Sequence, residues 1–284
     1  MYAITIFIVV LVLWYVRPLI NTAKIPYITS MSGRKEIVVY RTSRSRYTNK
    51  KVYDNCYLKW LNLNPSIKMV WFNNLDCRRY MRTQSNEVYH AYQNLLPGAF
   101  KADLFRLCIL YERGGVYADC ETMPYVSIRE MLKGVELQSN NMFVAALDRR
   151  GIHNGFMIAS PKHPFLASCI QYIINNVRNK TYHKDDLAIT GPVALSTSIN
   201  RFIGRPDNSS FNAGLNPFDK TPLYLYQYMN FLPQGPFQYI YKGKKCLMTK
   251  KHCVFGYLQS KLSPSAYFRL FKDQKIYKNM LPNG

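Results

Sequence analysis

The chain has 284 residues, of which 48% are hydrophobic, a composition that suits a packed globular protein and excludes disorder as its main state. Its 38 lysines and arginines outnumber its 16 aspartates and glutamates and give a net charge of +22, which favours anionic partners such as nucleotide phosphates, nucleic acid or acidic lipids. The seven cysteines are odd in number, which excludes a fully paired monomeric disulfide framework, and they form no C-x-x-C pair, which argues against a zinc ribbon. Mostly buried thiols are expected, with one or two disulfide bridges as the alternative.

The amino terminus carries an apolar segment. Residues 2–16 are uncharged, and extension to residue 20 brings a helix close to the ~30 Å thickness of a bilayer core. Trp14 and Tyr15 suit the membrane interface. We predict a single membrane anchor over residues 1–20, with a cleaved signal peptide or a buried first strand as the alternatives.

A polar linker is predicted over residues 21–35, followed by one folded domain over residues 36–284. Basic residues after the anchor favour a cytosolic domain, whereas the sequons at Asn179 and Asn208 favour a lumenal one, so the orientation stays open.

Within this domain, strand-like and helix-like hydrophobic patterns alternate along the chain. The predicted strands are residues 37–40, 68–72, 116–118, 142–146 and 156–159, and the predicted helices are residues 52–63, 87–96, 100–111 and 164–177. This alternation predicts an α/β fold in which helices flank a largely parallel sheet. The carboxyl third, which is rich in proline and tyrosine, is predicted to be irregular.

The scarce carboxylates are concentrated in one short stretch. Four of the 16 lie within nineteen consecutive residues, at Asp103, Glu112, Asp119 and Glu121. Asp103 and Arg106, three apart on a predicted helix, project in the same direction. A glycine pair at 114–115 is expected to end that helix.

A short strand follows the glycines, and Asp119-Cys-Glu121 lies just past its carboxyl end, the edge where open α/β sheets bind ligands. Two carboxylates at i and i+2 can share a hard cation such as Mg²⁺ or Mn²⁺, which keeps positions open for substrate phosphates. We therefore predict a metal-assisted site for a nucleotide diphosphate. The alternative is that the triplet is a solvated turn.

Residues 102–121 resemble the signature of the DXD sugar transferases of glycosyltransferase family 32, which reads Ser/Ala-Asp-x-x-Arg, an apolar helix, Gly-Gly-x-Tyr and Asp-x-Asp. Looser matches are Asn64-Pro65 with Met69-Val70-Trp71, residues 154–161, and Thr190-Gly191-Pro192. The resemblance implies a GT-A fold with a mixed sheet. It also implies retaining transfer of a hexose from a UDP- or GDP-sugar to a glycan, glycoprotein or glycolipid, assisted by Mn²⁺ or Mg²⁺. A single-pass protein of this type is expected in an endomembrane such as the Golgi or ER if its source is eukaryotic or viral.

The resemblance also implies roles for individual residues. The catalytic set is Asp103, Arg106, Asp119 and Glu121, and the donor-binding set is Tyr40, Thr42, Asp103, Arg106, Tyr117 and Asp119. The acceptor side is Asn154, Thr190 and Gly191, and the metal ligands are Asp119, Glu121 and His252. Glu121 departs from the usual aspartate of the family pattern, and no Ser-Trp pair accompanies His252.

Two other functions compete with this interpretation. The charge of +22 is compatible with a nucleic-acid-binding protein, although the basic residues are dispersed and no nucleic-acid motif is present. Glu121 and the incomplete late motif are compatible with an inactive, sugar-binding relative.

Overall fold

The structure, a computed structural model, describes residues 37–44, 50–133, 141–148, 150–218, 223–229, 237–241, 244–249 and 267–278. The predicted membrane anchor, the linker and His252 lie outside these residues. Among the residues described, no helix combines the length and apolar character needed to cross a bilayer.

Strands and helices alternate over most of the described chain. The strands are β1 (Ile37–Thr42), β2 (Ile67–Phe72), β3 (Gly115–Ala118), β4 (Thr122–Pro124), β5 (Phe143–Leu147), β6 (Ile152–Ala159), β7 (Gly214–Asn216), β8 (Leu223–Met229), β9 (Phe237–Tyr241) and β10 (Lys244–Thr249). The helices are α1 (Lys50–Leu63), α2 (Asn74–Met81), α3 (Asn86–Asn94), α4 (Gly98–Arg113), α5 (Ile128–Leu132), α6 (Pro164–Arg178), α7 (Pro192–Phe202) and α8 (Tyr267–Lys272). A 3₁₀ turn covers Asp186–Ala188.

The strands of the described chain form one mixed sheet in the order β2-β1-β3-β6-β5-β8-β9-β10-β4, with β7 beside β8. The β1–β2, β1–β3 and β5–β8 pairs are parallel, and the other pairs are antiparallel. The predicted α/β class with flanking helices and the mixed sheet implied by the family resemblance are therefore confirmed. The largely parallel sheet predicted from the alternation of strands and helices was wrong. A connection of only a few residues joins β5 to β6, too short for a parallel crossover, so β6 returns antiparallel between β5 and β3.

The two faces of the sheet bury separate cores because side chains alternate along each strand. On one face, Tyr40 and Tyr117 pack with the apolar side of α4 and with α6. On the other face, Val116 and Ala118 pack with Trp60 of α1 and with α5. The sheet is therefore buried on both sides, and its strand ends are left to form a site.

Two local predictions are confirmed and one is wrong. Gly114 and Gly115, after α4, adopt φ values of 65° and 101°, so the glycine pair ends the helix as expected. The five described cysteines are buried and free. The segment predicted to be irregular contains β8, β9, β10 and α8, because partner strands stabilise it despite its many prolines.

Candidate active site

Three strand ends meet at one edge of the sheet. β1 runs parallel to β3, so Thr42 and Asp119 lie at the same edge. β6 runs antiparallel to β3, so its first residues lie there as well, and the Asp119 amide donates to the Gly155 carbonyl at 2.8 Å. We refer to Asp103, Arg106, Tyr117, Asp119 and Asn154 as the edge network.

Helix α4 contributes the charged pair of this network. Asp103 and Arg106 are both buried, and their carboxylate and guanidinium groups lie 3.3 Å apart. The i,i+3 spacing predicted this pairing. Because α4 ends two residues before β3 begins and runs back along it, the amino-terminal half of α4 lies beside the carboxyl end of β3. This is why residues thirteen or more positions apart in sequence meet at Asp119.

Arg106 connects the members of the network. Its guanidinium lies 3.4 Å from Oδ1 of Asp119, donates to the Asn154 carbonyl at 3.0 Å, and lies over the Tyr117 ring at 4.6 Å. Burial alone would lower the pKa of Arg106, but the nearby charge of Asp119, followed by Tyr117 and Asp103, holds the pKa above its ordinary value. Arg106 is therefore a fixed, desolvated cation.

Both carboxylate oxygens of Asp103 accept hydrogen bonds. Oδ1 accepts from Nδ2 of Asn154 at 3.0 Å, and Oδ2 accepts from Oγ1 of Thr190 at 2.8 Å. Burial raises the pKa of Asp103 to about 6, while Arg106 and the Thr190 hydrogen bond act against this rise. Thr190 is itself fully buried, so it orients Asp103 rather than facing solvent.

Asp119 links the buried network to solvent. Its Oδ1 accepts from the Tyr117 hydroxyl at 3.0 Å, and that hydroxyl also pairs with Oγ1 of Thr42 at 2.8 Å. Burial raises the pKa of Tyr117 well above its usual value, so the phenol stays protonated and can donate. The Asp119 side chain is 40% exposed, whereas that of Arg106 is only 8% exposed. One carboxylate oxygen is thus held by the protein, and the side chain still reaches solvent.

Gly155 provides the room that Asp119 occupies. A Cβ at this position would lie 2.5 Å from Oδ2 of Asp119 and 2.6 Å from Nε2 of His153. The imidazole of His153 is held on its other side, where Nδ1 lies 3.6 Å from a carboxylate oxygen of Asp148. Both Oδ2 of Asp119 and Nε2 of His153 therefore lie against the bare Cα of Gly155.

The turn after Asp119 is fixed by β1. The buried guanidinium of Arg41 donates to the carbonyls of Asp119, at 3.3 Å, and of Cys120. The Cys120 thiol donates to the Thr42 carbonyl at 3.3 Å and so points toward β1. Glu121, which is partly exposed, follows immediately before β4.

The donor atoms at this turn fit a hard divalent cation. Asp119 and Glu121 offer carboxylate oxygens at the sheet edge, the ligand type that Mg²⁺ and Mn²⁺ prefer. Within the described residues, no group of three or more His, Cys, Asp or Glu side chains is arranged to hold a metal. Asp119 and Glu121 are therefore the described residues that would hold such an ion. The remaining predicted ligand, His252, lies outside the described residues.

Three predicted site residues are buried in the structure. Tyr40, predicted to bind the donor, is fully buried with its ring 6.4 Å from that of Phe72, so it offers no surface to a ligand. Thr190 and Gly191, predicted on the acceptor side, are buried behind Asp103. Their roles in binding the donor and the acceptor stay predictions.

Two residues that hold the site together were missed by the sequence analysis. Arg41 fixes the Asp119–Glu121 turn, and Gly155 leaves space for the Asp119 carboxylate. An arginine at the end of an apolar strand was the available signal for the first. Nothing local marked Gly155, since its neighbour Asp119 lies on another strand.

Comparison with known proteins supports a sugar-transferring class. Residues 50–141 match the family model described as "Glycosyltransferase sugar-binding region containing DXD motif". The chain is 25% identical over 215 residues to an "Initiation-specific alpha-1,6-mannosyltransferase" of Candida albicans (strain SC5314 / ATCC MYA-2876), covering 69% of this chain and 54% of the relative. It therefore spans about half the length of that curated relative.

Similar solved structures include the "PaToxG Glycosyltransferase" (TM-score 0.46, 12% identity, 60% of this chain and 69% of that chain). Another is the ligand-free glycosyltransferase domain of the YGT toxin (TM-score 0.35, 13% identity, 55% of this chain and 54% of that chain). The predicted resemblance to the DXD sugar transferases of family 32 is confirmed by the family model and the curated relative.

Proposed function

We propose that this chain transfers a hexose from a nucleotide-diphosphate sugar to a glycan, glycoprotein or glycolipid acceptor, with retention of configuration, on a GT-A type of fold. The observation that carries the proposal is the edge network. It joins a buried Asp103–Arg106 pair to the half-exposed Asp119 at the carboxyl end of a central strand. The match of the DXD sugar-binding region to residues 50–141, which include these three residues, supports it.

Asp119 and Glu121 are the proposed ligands of Mn²⁺ or Mg²⁺. When bound, such an ion supplies positive charge that stabilises a departing diphosphate. The protein contributes orientation: the Tyr117 hydroxyl and Arg106 both engage Oδ1 of Asp119. A carboxylate that is already oriented loses little entropy when it binds a ligand.

Asp103 and Arg106 are proposed to recognise the sugar and the charge of the donor. Arg106 is a buried cation next to Asp119, so it can stabilise negative charge that develops on the diphosphate without solvent reorganisation. The Asp103 carboxylate can accept a hydroxyl hydrogen bond in exchange for one of its present partners, Asn154 or Thr190. The proposed acceptor side keeps Asn154, Thr190 and Gly191, and the Asn154 amide bridges Asp103 and Arg106.

The donor sugar, the acceptor and the location are also proposals. The relative named as an alpha-1,6-mannosyltransferase makes mannosyl donors the first to test. The apolar segment at residues 2–16 supports a membrane-anchored protein, and an endomembrane location follows from that proposal.

The test is a donor panel. The purified full chain is incubated with UDP- and GDP-sugars and Mn²⁺ or Mg²⁺, and donor hydrolysis and transfer are measured. Asp119→Asn and Glu121→Gln should each lower turnover about a hundredfold, which corresponds to ~3 kcal/mol of lost stabilisation. Glu130→Gln, at an exposed position on α5, is the matched control and should leave turnover unchanged.

Three results would contradict the proposal. Full wild-type activity in EDTA would exclude the metal role. Sugar binding without turnover under any metal would favour the inactive relative. Salt-sensitive DNA binding without turnover would favour the nucleic-acid alternative.

A further inference from the structure

A mixed basic and apolar surface lies beside the candidate site. We define it as the basic corner, and it consists of Arg78, Lys101 and Lys278 together with the exposed side chains Leu75, Leu96 and Tyr267. These residues come from α2, the segment before α4, α4 itself, α8 and the segment after it.

The cations of the basic corner crowd one another. Burial lowers the pKa of Lys101, and the positive charges of Lys278 and Arg78 lower it further. The Lys101 ammonium lies 5.4 Å from the centre of the Tyr92 ring. Within the described chain, no carboxylate lies at ion-pair distance from any of the three, and Asp76, on the same helix as Arg78, pairs with Arg79 at 3.7 Å. This surface therefore carries uncompensated positive charge that an external anion would neutralise.

Apolar side chains surround these cations. Leu75, Leu96 and Tyr267 are 53%, 43% and 37% exposed, and they are among the most exposed large hydrophobic residues of the described chain. Leu75 precedes Arg78 by three positions on α2 and shares its face.

Backbone and ring contacts join the remaining members. The Leu96 amide donates to the Ile276 carbonyl at 2.7 Å, and the Lys278 amide donates to the Asn94 carbonyl at 2.9 Å, so Leu96 and Lys278 lie on adjacent paired segments. The Tyr267 ring lies 5.9 Å from that of Phe100, the residue before Lys101.

The topology places the basic corner at the same end of the fold as the edge network. β2 is parallel to β1 and ends at the edge that bears Thr42, and α2 begins two residues later. α4 runs down to β3, so its first turn, with Lys101, lies at that edge too. A flat partner that contacts the basic corner would therefore lie close to the site entrance.

We propose that the basic corner docks on an anionic bilayer surface and turns the carboxyl edge of the sheet toward the membrane. Cations beside exposed leucine and tyrosine side chains suit this partner, because phosphate headgroups pair with the charges while the apolar groups enter the interface. A soluble polyanion would use the cations but would gain nothing from Leu75 and Leu96. This inference is independent of catalysis, because it can be measured without turnover.

The test measures which face of the full chain touches lipid. A fluorescent residue is placed at position 96 or, as the matched control, at position 58, since Leu58 is 53% exposed on α1 on the opposite side of the sheet. Quenching by brominated lipid is compared in phosphatidylcholine vesicles with and without roughly 30% phosphatidylserine. We expect severalfold stronger quenching at position 96 than at position 58, and only with the anionic lipid.

Substitutions then separate charge from apolar contact. The double variant Arg78→Glu/Lys101→Glu should abolish the difference, whereas Lys59→Glu/Arg129→Glu, at exposed positions on α1 and α5, should preserve it. Leu75→Ser should reduce quenching at position 96 as well. Thermal melting confirms that each variant is folded. Equal quenching at both positions, no effect of the charge reversal, or undiminished quenching at position 96 in Leu75→Ser would each overturn the proposal.

Discussion

Substitution of Gly155 by alanine tests whether the position of the Asp119 carboxylate controls catalysis. The new Cβ would lie 2.5 Å from Oδ2 of Asp119, and ordinary contacts to a Cβ begin at 3.4 Å. The carboxylate must therefore retreat by roughly 0.9 Å, and misplacement of a reacting group by about 1 Å can cost about a hundredfold in rate. We expect Gly155→Ala to lower kcat of sugar transfer about a hundredfold, which is ~3 kcal/mol in activation free energy.

The fold should tolerate this substitution. Gly155 does not require a positive φ, and the groups it would displace, Asp119 and His153, are side chains rather than backbone. We expect the free energy of unfolding to fall by only about 1 kcal/mol, at the low end for overpacking, and Tm to fall by a few degrees.

The assay compares kcat and Tm of the wild type, Gly155→Ala and Gly98→Ala. Gly98 is the control because a Cβ there would meet no atom within 4 Å, so both quantities should stay at the wild-type level. A Gly155→Ala enzyme within twofold of wild-type kcat would refute the reasoning. Such a result would mean that Asp119 can move without affecting the reaction.

Two further predictions concern buried polar groups. Thr190→Val removes the hydrogen bond to Oδ2 of Asp103, so the pKa of Asp103 should rise above about 6 and the free energy of unfolding in urea at pH 8 should fall by about 2 kcal/mol. Thr190→Ser keeps the hydroxyl and should retain most of that free energy. An equal loss of stability in both variants would argue against the hydrogen bond. His163 caps α6 by accepting from the Phe165 amide, and burial lowers its pKa from 6.5 to about 4. Because the folded protein favours the neutral imidazole, the stability that His163 contributes is fully present above pH 6.5 and is lost as the pH falls toward 4. This loss lowers the free energy of unfolding by about 2 kcal/mol at pH 5. His163→Asn keeps a capping side chain but has no titrating group, so urea titrations should show this share of the loss between pH 7.5 and pH 5 removed. If the free energy of unfolding of the wild type and of the variant fell in parallel with pH, the prediction would be wrong.

Helix α2 shows how a local signal can be present and still be misinterpreted. Asn73 and Asp76 form a capping box, in which the Asn73 side chain accepts from the Asp76 amide and the Asp76 side chain accepts from the Asn73 amide. The sequence analysis predicted the strand that ends at residue 72 but no helix directly after it. Asparagine favours both turns and helix caps, so the outcome depended on whether an apolar helix face followed, here Cys77, Tyr80 and Met81.

The direction of β6 shows a different limit. Its residues predicted a strand, and the strand is present, but its antiparallel placement between β3 and β5 could not be predicted from hydrophobic pattern. Pattern reports which side of a strand is buried, whereas strand order depends on connections and on packing between distant segments. The consequence is functional, because this placement brings Asn154 and Gly155 to the same edge as Asp119.

The sequence by itself determined the local parts of the site: the Asp103–Arg106 pair on one helix, the glycine pair that ends it, and the carboxylates after the next strand. Each depends on contacts between near neighbours, which helical spacing and backbone freedom control. Only the tertiary structure decided that Thr190 would orient Asp103, that Arg41 would fix the Asp119 turn, and that Tyr40 would be buried away from the site. Those contacts join segments tens of residues apart, and their geometry follows from how the sheet and its helices pack together.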